Sequence, residues 1–197
     1  MTGKNVIGWN QWWLRPAIDP RDCLAAFQPI GAVNISQSLF NINGRGQNDA
    51  AIGTTPTFSK ETGWTFDGAT TYLTVGSGAI ATAVPLSMVC LFQADNITSA
   101  SPLMSLSQAA TTNSQFKLEA GGATTSDPVR ALSVTAGVAV AAVTGVGYIA
   151  DTWYVGGAVF DTAAVRWAYI MSKNLRPTAY QHFGKRGGET TSSTPAT

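Results

Sequence analysis

The stretch Trp64-Thr-Phe-Asp-Gly-Ala-Thr-Thr-Tyr-Leu-Thr-Val75 holds two short segments of unlike patterning around a glycine-containing turn. Trp64, Phe66, Tyr72, Leu73 and Val75 suit a pleated, half-buried surface, and Asp67-Gly68 supplies the positive φ that a tight connection needs. The stretch reads as a strand, a turn and a strand. No segment elsewhere offers an apolar stripe at helical spacing over three turns. The chain is therefore expected to be all-β, with almost no helix.

Working outward, the pieces come in a definite order. Cys23-Leu-Ala-Ala-Phe-Gln-Pro-Ile30 comes first, then the Asn- and Gly-rich loop Asn41 to Asp49, then Phe66-Asp-Gly68. Pro85 to Phe92, Pro102 to Leu106 and Gln115 to Glu119 follow, and Trp153 to Asp161 with Val165 to Tyr169 closes the series. This order resembles the laminin-G-like, concanavalin-type jelly rolls, in which a Trp or Leu, Phe-Asp-Gly, spacer, Tyr-Val/Leu pattern recurs. The resemblance implies a two-sheet antiparallel jelly-roll sandwich over residues 23–170, with Cys23 to Ile30 as its opening strand. An N-terminal arm, 1–22, precedes it, and a basic then Ser/Thr-rich tail, 171–197, follows. After Tyr169 the family pattern of an Asn-Gly turn and another strand is replaced by Ile170-Met-Ser-Lys-Asn-Leu-Arg-Pro177.

Length and charge agree with one β domain. A single sandwich can use 197 residues. Charged residues are 12% of the chain, half the roughly 25% of typical soluble proteins, and 12 Lys+Arg against 11 Asp+Glu leaves +1. So neutral a surface steers nucleic acid poorly and repels its own copies little. It suits a subunit that lives against neighbours, although a secreted lectin would look similar. Met1 to Trp9 lacks the apolar run of a secretory signal. The uncharged runs Val75 to Gln93 and Val134 to Ala150 are broken by Gly, Pro85, Ser and Thr, so they read as strands and turns rather than membrane helices.

The arm carries Trp9, Trp12 and Trp13, half of the chain's six tryptophans, followed by Arg15 and two prolines that forbid regular structure. It either wraps its own sandwich or anchors a partner. The tail carries Lys173, Arg176, Lys185 and Arg186. Trp9, Trp12, Trp13, Arg15, Arg176, Lys185 and Arg186 are accordingly the candidate partner-binding residues. Trp153 to Phe160 is apolar on both faces, Tyr154, Ala158 and Phe160 on one and Trp153, Val155 and Val159 on the other. An ordinary sandwich strand keeps one face wet, so the outer face is expected to be covered by the arm, the tail or another subunit.

Chemistry finds little to stand on. The one histidine, His182, lies in the tail, whereas hydrolase triads need a base beside a nucleophile and an orienting acid. Asp67, Asp151 and Asp161 fall at predicted turns, where aspartate bonds its own backbone. A glycosidase would need two facing carboxyl groups, and the clustered Glu-x-Asp-x-x-Glu strand of one such family is absent. The loop with Asn41, Asn43, Asn48 and Asp49 offers oxygens, but only one carboxylate, with Arg45 among them, so any calcium affinity is weak. Gly184-Lys-Arg-Gly-Gly188 lacks the phosphate-cradling pattern. Cys90, in phase with Leu86, Met88 and Phe92, reads as a buried hydrophobe. No catalytic residue, metal or cofactor is expected.

Among jelly-roll proteins the chain is most similar to those of tailed phages that pair an Ala-Ala-Tyr/Phe-Gln-Pro-Ile-Gly-Ala stretch, here Ala25 to Ala32, with a Gly-Trp-x-Phe-Asn/Asp-Gly stretch, here Gly63 to Gly68. That resemblance implies a non-enzymatic virion component made in the host cytoplasm. A capsid decoration protein on the major capsid protein lattice comes first, and a carbohydrate-binding tail or fibre adhesin second. It implies a homo-oligomer, no direct nucleic-acid contact and no membrane.

Overall fold

In a computed structural model, which describes residues 23–42, 48–76, 84–95, 98–107, 114–122, 126–162 and 164–172, the period-two alternation becomes strands. They hold 57% of the described residues, against one four-residue helix, so the all-β expectation is borne out. The chain divides into two compact units between Ile80 and Ala81.

In the first unit, α1 (Ile35–Ser38) starts where the Asn34 side chain accepts from the Gln37 N–H at 2.9 Å and the Gln37 side chain accepts from the Val33 N–H. β1 (Ala50–Thr54) pairs antiparallel with β4 (Tyr72–Val75), and β2 (Thr57–Ser59) with β3 (Gly63–Thr65). The expected strand, turn and strand are thus present as β3, the Asp67-Gly68 turn with Gly68 at φ +71°, and β4. They do not form a hairpin, since each pairs back to an earlier strand. Trp64 is the anchor: its indole N–H donates to Ser38 Oγ at 2.7 Å, and its ring packs on Phe27 with centroids 6.1 Å apart.

The expected opening strand at Cys23 to Ile30 is corrected: the segment is outside any ladder. Side-chain bonds take the place of a neighbouring strand. The Asn41 amide accepts from the Ala26 N–H and donates to the Leu24 carbonyl, while the Ile42 N–H donates to Ala26. Pro29 has no N–H to offer a ladder.

The second unit is two sheets. One has the order β11-β10-β5, from β5 (Leu86–Gln93), β10 (Trp153–Phe160) and β11 (Arg166–Ser172). The other runs β6-β7-β8-β9, from β6 (Ala100–Ser107), β7 (Ser114–Gly121), β8 (Pro128–Thr135) and β9 (Val138–Gly147). All pairings are antiparallel. Inward residues of the first sheet (Leu86, Met88, Phe92, Tyr154, Ala158, Phe160, Ala168 and Ile170) meet Leu118, Ala120, Val129, Ala131 and Ala142 of the second in one core. Small residues on facing strands let the sheets approach while Phe160, Phe92 and Leu118 fill between them.

The β8–β9 connection, Ala136-Gly137, has φ of 50° and 80°, the paired positive values that match a two-residue turn to strand twist. Farther along the β8–β9 pair the register shifts, Arg130 standing opposite Val143 but Pro128 opposite Gly147. There the Thr144 hydroxyl accepts from the Val129 N–H and donates to the Val146 carbonyl, mending the ladder from a side chain. The glycine pair in β10 makes no bulge: Gly156 and Gly157 keep register with both neighbours.

Candidate binding surfaces

Trp9, Trp12, Trp13, Arg15, Arg176, Lys185 and Arg186, with Lys173 and His182, lie outside the described residues. The surfaces that can be described belong to the two units.

On the second unit, the outward side of the three-stranded sheet is apolar in rows. Leu91, Val155 and Met171 stand side by side across the strands. Val89, Gly157 and Tyr169 form a second row, and Val159 stands beside Trp167. Val89 is 48% exposed, and Trp153, Val155, Val159, Trp167, Tyr169 and Met171 are half-buried. The two-faced character expected of β10 is therefore present, with Tyr154, Ala158 and Phe160 buried on the inner side.

The four-stranded sheet carries the ion pairs of this unit among the described residues. Glu119, buried, sits 3.8 Å from Lys117 Nζ and 3.7 Å from Arg130 Nε, with Arg130 directly across the ladder. One carboxylate between two cations links β7 to β8 across the ladder. Arg166, in phase with Ala168 and Ile170, is buried at the start of β11, and desolvation lowers its pKa.

In the first unit, Asp67 organises its loop. Its Oδ1 accepts from the backbone N–H groups of Ala69, Thr70 and Thr71, and its Oδ2 from the Thr70 hydroxyl. The Thr70 hydroxyl bond, then the backbone N–H groups of Thr71, Ala69 and Thr70, hold the carboxyl well below the usual carboxylate range. Asp67 is a turn former, as expected; Asp151, at φ 58°, and Asp161 also stand at turns. A carboxyl whose pKa is depressed on folding stabilises fully above its unfolded pKa of about 3.9, and that contribution is lost as pH falls below it. The Asp67→Asn variant should therefore lose part of the acid sensitivity that the parent shows between about pH 4 and pH 2, read by denaturant midpoints at each pH. An unchanged acid dependence would mean the loop does not need the charge.

Beside this loop, Tyr72 lies over Gly53 across the β1–β4 pair, where a side chain at position 53 would collide with the ring. Tyr72 is 52% exposed, with Phe66 and Ile52 also open to solvent. The ring is an aromatic plate backed by backbone.

Cys23 and Cys90 are not joined in a disulfide. Cys90 packs against the core, and burial pushes its thiol up to about 11, so the sequence reading of Cys90 holds. In the native protein at pH 8 Cys90 should resist a disulfide-exchange reagent and react only after unfolding, because the thiolate is the nucleophile. Rapid titration of both thiols without denaturant would contradict this.

Among the described residues no group of His, Cys, Asp or Glu is placed to hold a metal, and no helix is long and apolar enough to cross a membrane. In the Asn-rich loop, Asn41 Oδ1 already accepts from Ala26, and Asp49 Oδ1 accepts from the Asn41 N–H. No protein-family model, curated protein or solved structure matches the chain.

Proposed function

We propose that the chain is a non-enzymatic structural subunit of a tailed-phage virion, a jelly-roll protein that decorates an assembled capsid lattice. The observation that carries this reading is the ordered motif pair, Ala25 to Ala32 and Gly63 to Gly68, within an all-β chain. The low charge and the apolar outward rows of the β11-β10-β5 sheet support it, since both suit a surface that meets other subunits. Such a subunit binds the assembled lattice and not its free parts, so it shifts the equilibrium toward assembly by mass action. Quantitative mass spectrometry of purified particles is the test. Copies in the hundreds mean decoration, a handful mean tail or fibre, and none overturns the virion reading.

The arm supplies the principal anchor in this proposal. Trp9, Trp12 and Trp13 can each bury roughly 150–250 Å², and at about 25 cal/mol per Å² even partial burial gives several kcal/mol before ordering costs. Deleting residues 1–16 should leave β circular dichroism intact and strip the protein from particles. Deleting residues 184–197 should weaken attachment less, and mostly at low salt, where Lys185 and Arg186 are unscreened. If the arm-deleted chain aggregates or loses its β signal, the tryptophans cover the chain itself.

A second reading, a glycan-binding adhesin on the same fold, is favoured by one feature, the exposed Tyr72 plate over Gly53. A glycan array separates the two: binding that Tyr72→Ala abolishes would support the adhesin.

A further inference from the structure

The three-stranded sheet of the second unit is apolar on both sides, and among the described residues of that unit the other strands meet it on its inner side. Over β5, β10 and β11 the single charged residue is Arg166, which is buried in phase with the inward Ala168 and Ile170. The outward side is therefore uncharged, and it is not evenly open. Val89, on β5, is 48% exposed, whereas Trp167, Tyr169 and Met171, on the end strand β11, are half-buried. Burial also raises the pKa of the Tyr169 phenol. A contiguous apolar patch of this kind marks an interaction site.

We infer that residues 175–183 of the C-terminal tail turn back over the outward rows of β10 and β11 and dock there as a strap of the same chain. These residues lie outside the described ones; their sequence and their point of attachment select them. The tail leaves this same sheet at Ser172, the last residue of β11, whereas the arm leads into the first unit. With almost no linker, the segment is held beside the face at an effective concentration that any separate partner has to overcome. Asn174 and Pro177 are turn formers, and Pro177 has no N–H to offer a ladder, so the chain past β11 is set to reverse rather than to extend the sheet. Leu175, Tyr180 and Phe183 supply large apolar side chains, and residues 173–183 carry the cations Lys173 and Arg176 with no carboxylate among them. Cations so placed are attracted to aromatic faces, which Trp167 and Tyr169 can supply. The reach suffices: a nine-residue segment spans about 30 Å when extended, against roughly 26 Å for the eight residues of β10. One segment is about two strands wide. The β5 margin with Val89 thus stays open for the subunit contacts of the virion reading, on which this inference does not rest.

Photo-crosslinking of the full chain tests it, with benzoylphenylalanine in place of Tyr180 and, separately, of Phe183, in a mixture of unlabelled and isotope-labelled protein. The expected result is a bridge within one chain to outward residues of β10 or β11, such as Val155, Val159 or Trp167. Bridges formed only between chains, bridges formed only to the first unit, or no bridges at all overturn the inference. Peroxide oxidation of Met171, read by peptide mass spectrometry, is the second measurement, with Met104, 40% exposed on β6, as the internal reference. In a full-length variant carrying Leu175→Ser, Tyr180→Ser and Phe183→Ser, the ratio of the Met171 rate to the Met104 rate should rise about threefold or more, because sulfoxide formation follows exposure. An unchanged ratio overturns the inference as well. Neither measurement needs a particle, so failure here leaves the mass-spectrometric test of the virion reading untouched.

Discussion

Replacing Phe160 by alanine should lower the unfolding free energy of the second unit by about 3–5 kcal/mol, the range for emptying a buried aromatic site. Phe160 is 1% exposed at the end of β10 and packs on Phe116 with ring centroids 5.0 Å apart. It comes from the three-stranded sheet and Phe116 from the four-stranded one, so the pair ties the two layers together. The space left cannot be refilled cheaply, because its neighbours sit on hydrogen-bonded strands in fixed register. Whole-protein stabilities are about 5–15 kcal/mol, so the loss is a large fraction of the total. Val159→Ala, one residue earlier and on the half-buried outward side, should cost distinctly less. Urea denaturation of both variants checks this, with a shift in midpoint at constant slope as the signature. Equal losses at positions 159 and 160 would mean the layers do not close on Phe160.

A strand's period of two sets 159 and 160 on opposite faces from the residues alone, but both faces of Trp153–Phe160 are apolar, and only the packing of the two sheets shows that Phe160 is the inward one. The span of the strand is legible in its run of aromatic and β-branched residues, and β10 covers Trp153–Phe160. Legibility fails where a side chain replaces a strand. Nothing in the spacing of Cys23 to Ile30 shows that Asn41, well along the chain, satisfies Ala26 and Leu24. The helix α1 did leave a signal, Asn34-Ile-Ser-Gln37, the capping pattern of a polar residue followed three later by Gln. Four residues are too few to display a helical period. Arg166 is a third case, since its phase with Ala168 and Ile170 points inward while its charge argues for solvent, and phase prevails.

The surfaces were less legible than the core. Tyr72 and the Asp67 turn lie in the stretch that decides the fold, yet the plate depends on Gly53, a residue on another strand that nothing near Tyr72 in sequence identifies. The place of β9 at the end of its sheet is likewise a matter of sheet order. An uncharged run is visible in the residues, but that it ends at an edge rather than between two strands is not.

The same dependence on distant backbone makes Gly147→Ala the second large effect. Gly147 ends β9 opposite Pro128, and a methyl group there would overlap the Ser126 carbonyl oxygen and press on that of Asp127, 2.7 Å away. Both are backbone atoms and cannot swing aside as a side chain would. Ser126 and Asp127 already stand at φ 69° and 45°, a region that disfavours residues with a Cβ, so the turn has little latitude to retreat. The Asp127 carbonyl also accepts from the Tyr148 N–H at 3.0 Å, and Tyr148 is buried with its ring edge-on to Phe92. Moving the turn therefore disturbs the core as well as the connection. Overpacking costs about 1–3 kcal/mol and sometimes more, and a clash with backbone belongs at the upper end. Gly76→Ala, where an added methyl meets nothing, is the control and should change stability by no more than about 0.5 kcal/mol. Near-UV circular dichroism should show the altered setting of Tyr148 in the Gly147 variant while the far-UV β signal persists. If Gly147→Ala is as well tolerated as Gly76→Ala, the 126–127 turn yields freely, and the close approach of the two chain segments is not what requires glycine at this position.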